Sequence, residues 1–185
     1  MKKISTLKRL EEYVVFALFG AMMYISAQID IIPNVHPLAL FIVVLTVVYR
    51  FKALIPIYLY VFLEGLMGGF NVWWLPYLYI WTVLWLLVMF IPRRINEAVA
   101  GVLLVVVAVL HGLSFGILYM PVQCYVFFKG NWDLAWIWLL NGAAFDTLHA
   151  VGNLTATLFA IPMIRLLCKL NKMPYFYKPL SFKKK

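Results

Sequence analysis

Six apolar runs, each close to the length of a bilayer crossing and parted by connections of only a few residues, leave this chain little choice of fold. They cover 13–29, 31–49, 53–70, 77–91, 98–123 and 134–165. A helical span takes about 20 apolar residues, and inside a bilayer the backbone must satisfy its own hydrogen bonds, which a helix does. The expected fold is an all-α membrane protein, a six-transmembrane-helix bundle forming one integral membrane domain over residues 1–185. Composition agrees: 65% of residues are hydrophobic, 12% are charged and the mean hydropathy is +0.93, whereas soluble domains hold about half apolar and a quarter charged residues. Once the runs are assigned, nothing is left for a soluble catalytic or nucleotide-binding domain, and the sequence contains no P-loop pattern.

The net charge of +9 would suggest nucleic acid only if its distribution were ignored. When the connections are placed alternately on the two sides of a bilayer, the N-terminus, the 50–52 turn, the 92–97 turn and the C-terminal tail collect every Lys and Arg except Lys129 and Arg165, which ends the sixth run on the side of the tail. By the positive-inside rule both termini are cytoplasmic, in a multi-pass protein of the cell membrane. An odd number of spans destroys this sorting, and nucleic acid is not an expected partner. The first run is longer than a signal-peptide core and lacks a good cleavage site, so it reads as a retained span. Cys124 and Cys168 flank the last long run near opposite membrane faces, too far apart for a disulfide.

Polar groups inside the runs carry the functional signal, because a membrane segment holds them at a cost. Asp146, His149 and Asn153 fall within about 60° of one another at helical periodicity, so they share one face of the sixth helix. That face is expected to look into a polar cavity. With Asn34 and His36 from the 28–37 hinge, Glu64 from the third run and His111 from the fifth, it forms an outward-facing set. Tyr77, Trp81 and Trp85 make an aromatic stripe at helical spacing, suited to stacking on a flat ligand. The plainer readings are interface anchoring for the stripe and an internal Asp146–His149 pair for the acid. A metal site is not expected, since the three histidines and two acids show no tight local spacing.

Gly112-Leu113-Ser114-Phe115-Gly116 matches G-x-S-x-G, and His149 lies on the next helix, which raises an intramembrane serine hydrolase as the alternative. The nucleophile elbow, however, needs a strand before its turn, and a rhomboid-type pattern needs glycine where this chain has Phe115. Gly112 and Gly116 also make a small-xxx-small groove for a neighbouring helix.

In the first run Ala17 and Ala21 stand four residues apart, on one helix face open to close approach by a partner helix. With this pair, the span count, the cytoplasmic termini and the outward polar pocket, the whole chain resembles the substrate-binding S component of energy-coupling factor (ECF) transporters, the bacterial vitamin importers. The resemblance implies that Ala17 and Ala21 dock on a shared transmembrane coupling subunit, itself joined to a pair of ATPases. It also implies capture of a small vitamin or precursor from outside, at the outer ends of helices four to six, with the 28–37 hinge as lid. Neither catalysis nor a cofactor is implied. Nickel and cobalt relatives carry metal ligands at an extracellular N-terminus, and the basic N-terminus here departs from that pattern.

Overall fold

The computed structural model describes residues 2–29 and 34–178, with the side chains of the first helix described from Leu10 onward. Residues 30–33 of the hinge, Asp30 among them, and the end of the basic tail from 179 lie outside the described residues. Among the described residues eight α-helices follow one another: α1 Lys2–Gln28, α2 Leu38–Tyr49, α3 Leu54–Gly68, α4 Tyr77–Met89, α5 Glu97–Leu113, α6 Phe115–Val122, α7 Trp132–Thr157 and α8 Ala160–Leu170. Among the described residues there is no β-strand, only an isolated backbone bridge between Asn96 and Lys178.

Among the described residues three helical segments are long and apolar enough to cross a membrane, Leu10–Gln28, Leu38–Gly68 and Val72–Met89, and the number rises to five if each of two bent helix pairs counts as one crossing. The runs expected at 98–123 and 134–165 are these bent pairs. The α5–α6 pair turns by 41° and the α7–α8 pair by 49°. Pro162 accounts for the second bend, because its ring clashes with the carbonyl four residues back, at Leu158, and it has no N–H to donate there. At the first bend Gly112, Ser114 and Gly116 crowd together, and the Ser114 hydroxyl donates to the His111 carbonyl at 3.1 Å, a combination that commonly kinks helices.

The expected 31–49 run needs the largest correction. Its helix, α2, begins at Leu38, holds 12 residues and is buried along its whole length. At 1.5 Å per residue it is about 18 Å long, short of the roughly 30 Å of a hydrocarbon core. Rather than facing lipid, α2 is the axis around which the other helices pack, which explains a sequence apolar on all sides.

Contacts fix the direction of each helix. Glu12 meets Lys52 at 2.7 Å and Gln28 meets Glu64 at 3.4 Å, so α1 and α3 run parallel. Phe16 packs on Tyr49 and Phe19 on Phe41, so α2 runs against α1. Tyr60 packs on Trp81 and Phe51 on Trp85, so α4 runs against α3. Gly101 faces Ile161 and Gly116 faces Leu139, so α7–α8 returns along α5–α6.

One end of the bundle is closed by cations on helix C-termini. Arg93 donates to the carbonyls of Val47 and Val48, at 2.6 Å and 2.7 Å, capping α2, and Arg50 donates to Met89 at 2.8 Å, capping α4. Positive charge at this end of a helix also meets the negative pole of its dipole. Arg50 has φ of 56°, an uncommon conformation for a residue with a Cβ, and the Trp85 indole holds its carbonyl at 3.1 Å. The tail continues the closure: Lys178 pairs its backbone with Ile95 and Glu97, Tyr177 is buried, and Arg93 lies 4.6 Å over the Phe176 ring. Burial pushes the Arg93 guanidinium below its usual range, helped by nearby Arg50. Glu97 ties this end together, accepting hydrogen bonds from Arg165 and from the Tyr175 hydroxyl.

Outward faces of the bundle are apolar. Leu10, Val14, Leu18, Met22 and Ile25 of α1 are all exposed, as are Phe51, Phe90 and Leu140, each at 70% or more. Exposed apolar surface of this extent is unusual in a soluble monomer and is compatible with a protein embedded in a bilayer.

Candidate functional site

At the end opposite the arginine caps, α7 presents one face to α5 and α6. Gly112 and Gly116 make this possible: a Cβ on Gly112 would lie 2.8 Å from the Ala150 Cα, and one on Gly116 2.8 Å from a Leu139 methyl. The glycine pair therefore works as the expected helix-packing groove. On the same face Asp146 accepts the Gly116 N–H with both carboxylate oxygens, at 3.1 Å and 3.2 Å. Asn153 donates to the Ala108 carbonyl at 2.9 Å. Between them His149 projects into a cluster of rings.

That cluster brings rings from several helices together. The His149 ring lies 4.6 Å from Phe115, 5.8 Å from His36, and 6.4 Å from both Trp81 and His111, centroid to centroid. Trp81 and His111 are 5.7 Å apart, and Tyr77 and Tyr60 back the indole at 5.7 Å and 5.9 Å. Trp81 and His111 are 1% exposed and His149 is 2% exposed. Even so, among the described residues no hydrogen-bond partner reaches the Trp81 Nε1, the His111 Nδ1 or either nitrogen of His149. Native proteins rarely leave so many buried polar atoms unpaired in one place.

Beside the cluster is a cavity of about 400 Å³, lined by Asn34, Phe115, Tyr119, Trp138, Asn141 and Asp146 among others. This is within the range of small-molecule pockets, and its wall is aromatic with a few polar groups, as such pockets are. The hinge reaches it at Asn34, which has φ of 64°. It crosses α7 where Gly152 has no side chain: a Cβ there would sit 3.0 Å from the Val35 Cα.

Asn34, His36, Tyr77, Trp81, His111, Asp146 and His149 are thus brought to the cavity or to the ring cluster behind it. Glu64 lies at the edge, its carboxylate accepting a hydrogen bond from the Gln28 amide at 3.4 Å. One expectation and one of the plainer readings are corrected. Trp85 stands one turn beyond Trp81, turned to Phe51 and the Arg50 carbonyl at the capped end, and it leaves the ligand set. The internal Asp146–His149 pair is not formed, because the carboxylate is held by Gly116 while both His149 nitrogens lack a partner among the described residues. Asn153 binds α5 across the helix interface, although its Oδ1 is buried without a partner.

Phe115, Tyr119, Trp138, Asn141 and Phe145 were not expected at the site. The signal for them was periodic: 111, 115 and 119 recur every four residues, and 138, 141, 142, 145, 146 and 149 trace one helical stripe that includes the acid and the histidine. Ser114 shows no bond to a histidine ring, its hydroxyl being turned to the His111 carbonyl. No group of three or more His, Cys, Asp or Glu among the described residues is placed to hold a metal ion. Ala17 is exposed and Ala21 half-buried on the outer face of α1, remote from the cluster. Comparison with protein-family models, curated proteins and solved structures finds no match for this chain.

Proposed function

We propose that the chain is the membrane substrate-capture subunit of an ECF-type importer. It would bind a small heteroaromatic, vitamin-like compound from outside the cell and dock through Ala17 and Ala21 on a coupling subunit driven by an ATPase pair. The single observation that carries this reading is the buried cluster of Trp81, His111 and His149, with unpaired ring nitrogens next to an aromatic cavity of about 400 Å³. Buried polar groups without partners are costly, and a ligand that pairs them recovers that cost as affinity. The reading with six crossings and both termini cytoplasmic counts α2 as a short crossing enclosed by its neighbours; the alternating helix directions and the gathering of Arg50, Arg93 and the tail at one end support it. On this reading the capped basic end faces the cytoplasm and the cavity faces outward.

The test is the small-molecule content of the purified protein. Denaturing it and analysing the supernatant by mass spectrometry should release a flat heterocycle in near-equimolar amount, and the stripped protein should rebind it with a change in Trp fluorescence. Release of nothing, with no uptake deficit on deleting the gene, would refute the capture role.

A further inference from the structure

The unpaired atoms behind Phe115 have a defined hydrogen-bonding sense, and that sense specifies the ligand. His111 Nε2 lies 3.1 Å from the Ile80 carbonyl oxygen. A carbonyl only accepts, so Nε2 carries the proton and Nδ1 of the neutral ring is an acceptor. The Trp81 Nε1 is a donor and nothing else. His149, with both nitrogens unpartnered among the described residues, offers one donor and one acceptor in either neutral tautomer. The centroids of these three rings form a triangle with sides of 5.7, 6.4 and 6.4 Å, so donor and acceptor belong to neighbouring rings of one cluster. Phe115 packs 4.6 to 6.3 Å from all three rings and also lines the cavity. It is the first residue of α6, directly after the 41° bend.

We propose that the ligand is a flat nitrogen heterocycle with an N–H donor and a ring acceptor on one edge, read by His111 Nδ1 and Trp81 Nε1, and that Phe115 swings aside to admit that edge from the cavity. This rests on the capture role above and narrows its substrate class. A carbocycle of the same shape leaves both atoms unpaired and is rejected on that ground, not on size.

Equilibrium dialysis of the full chain in detergent micelles, with protein-free micelles as blank, tests this with three probes. These are 4-aminopyrimidine, its N,N-dimethyl analogue, which lacks the donor, and aniline, which lacks the ring acceptor. The expected result is that each analogue binds roughly tenfold more weakly than 4-aminopyrimidine, one hydrogen bond being lost in each. His111→Phe should then remove the discrimination against the dimethyl probe, and Trp81→Phe the discrimination against aniline. Equal binding of the three probes, no binding of 4-aminopyrimidine, or discrimination that survives in a folded variant overturns the proposal. The wild-type comparison decides the matter if a variant does not fold. A protein that releases a small molecule on denaturation yet shows no preference among the probes loses the heterocycle rule alone; one that releases nothing and binds no probe loses the capture role too.

Discussion

Replacing Gly112 with alanine puts the packing of the site helices to a direct test. The new Cβ would lie 2.8 Å from both the Cα and the N of Ala150 and 3.0 Å from the Asn153 amide nitrogen. Carbon atoms pack best at about 3.5 to 4.0 Å, so α5 and α7 must part by roughly 1 Å. The obstacle is backbone, so no flexible side chain can relieve it. Overpacking of this kind costs about 1 to 3 kcal/mol, and disturbing the Asn153 bond to Ala108 adds about 1 kcal/mol. At about 2 to 4 °C per kcal/mol for a chain of this size, the melting temperature should fall by several degrees in a detergent-solubilised thermal melt. Gly142→Ala is the control: a Cβ there meets nothing within 4 Å, and alanine is favoured over glycine in a helix by about 0.5 to 1 kcal/mol. Its melting temperature should hold or rise. If Gly112→Ala melts no lower than Gly142→Ala, the close approach of α5 and α7 is wrong, and with it the placement of Asp146 and His149 against α6 and α5.

Asp146→Asn should weaken ligand binding roughly tenfold or more if the carboxylate meets a donor on the ligand, since charge-assisted hydrogen bonds are worth about 1.5 to 3 kcal/mol; a Trp-fluorescence titration reads this, and unchanged affinity with a lowered melting temperature returns Asp146 to a structural role. Ala17→Trp should abolish uptake in cells while the purified protein keeps its ligand affinity, and normal uptake removes the docking role of that face. A cysteine in place of Asp133 should react with an impermeant thiol reagent outside intact cells while one in place of Arg94 should not, and the reverse pattern inverts the topology; both positions are exposed and spare the helix-capping Asn131 and Asn96. Burial raises the Tyr177 phenol from 10.0 to about 12. A raised folded value means that its contribution to tail docking is complete below pH 10.0 and lost as pH climbs toward about 12, so tail proteolysis should accelerate across that window, and a flat profile would show that Tyr177 is not buried.

Much of the architecture was legible because apolar length and charge sorting are long-range features of the sequence. The arginine turns were recognisable as ends, and Gly112 with Gly116 as a groove. What the sequence concealed was α2. An apolar run buried in protein and one facing lipid have the same composition, and only packing shows that Leu38–Tyr49 is enclosed on all sides. Trp85 was misplaced for a related reason. Its spacing from Trp81 is right for a stripe, but a stripe two turns long runs out of the site, and Trp85 ends where Arg50 turns the chain. The ring cluster was partly visible. His111, Trp81 and His149 stood out as polar or amphipathic groups in apolar helices, whereas Phe115 and Tyr119 looked like any other aromatic side chains of a membrane helix.

The two ends of the bundle handle polar burial in opposite ways. At the capped end each helix terminus that reaches the interior is met: Arg93 closes α2, Arg50 closes α4, Trp85 holds the carbonyl of Arg50, and Glu97 joins Arg165 and Tyr175. Apart from the buried Tyr49 hydroxyl, the polar groups that end these helices are bonded, so the chain has no general difficulty in pairing them. Yet a few turns away the Trp81, His111 and His149 nitrogens are left unpaired, in surroundings that an aliphatic side chain would fill without cost. Departures from polar satisfaction gather at functional sites, where the missing partner arrives with the ligand. The same contrast separates rigidity from function along α7–α8: Arg165 on α8 is fixed by Glu97, whereas His149 on α7, near the bend at Ser114 that positions Phe115, is held by ring packing alone. A polar group fixed by shape and not by hydrogen bonds keeps its full bonding capacity, and the capture role proposed above draws on that capacity.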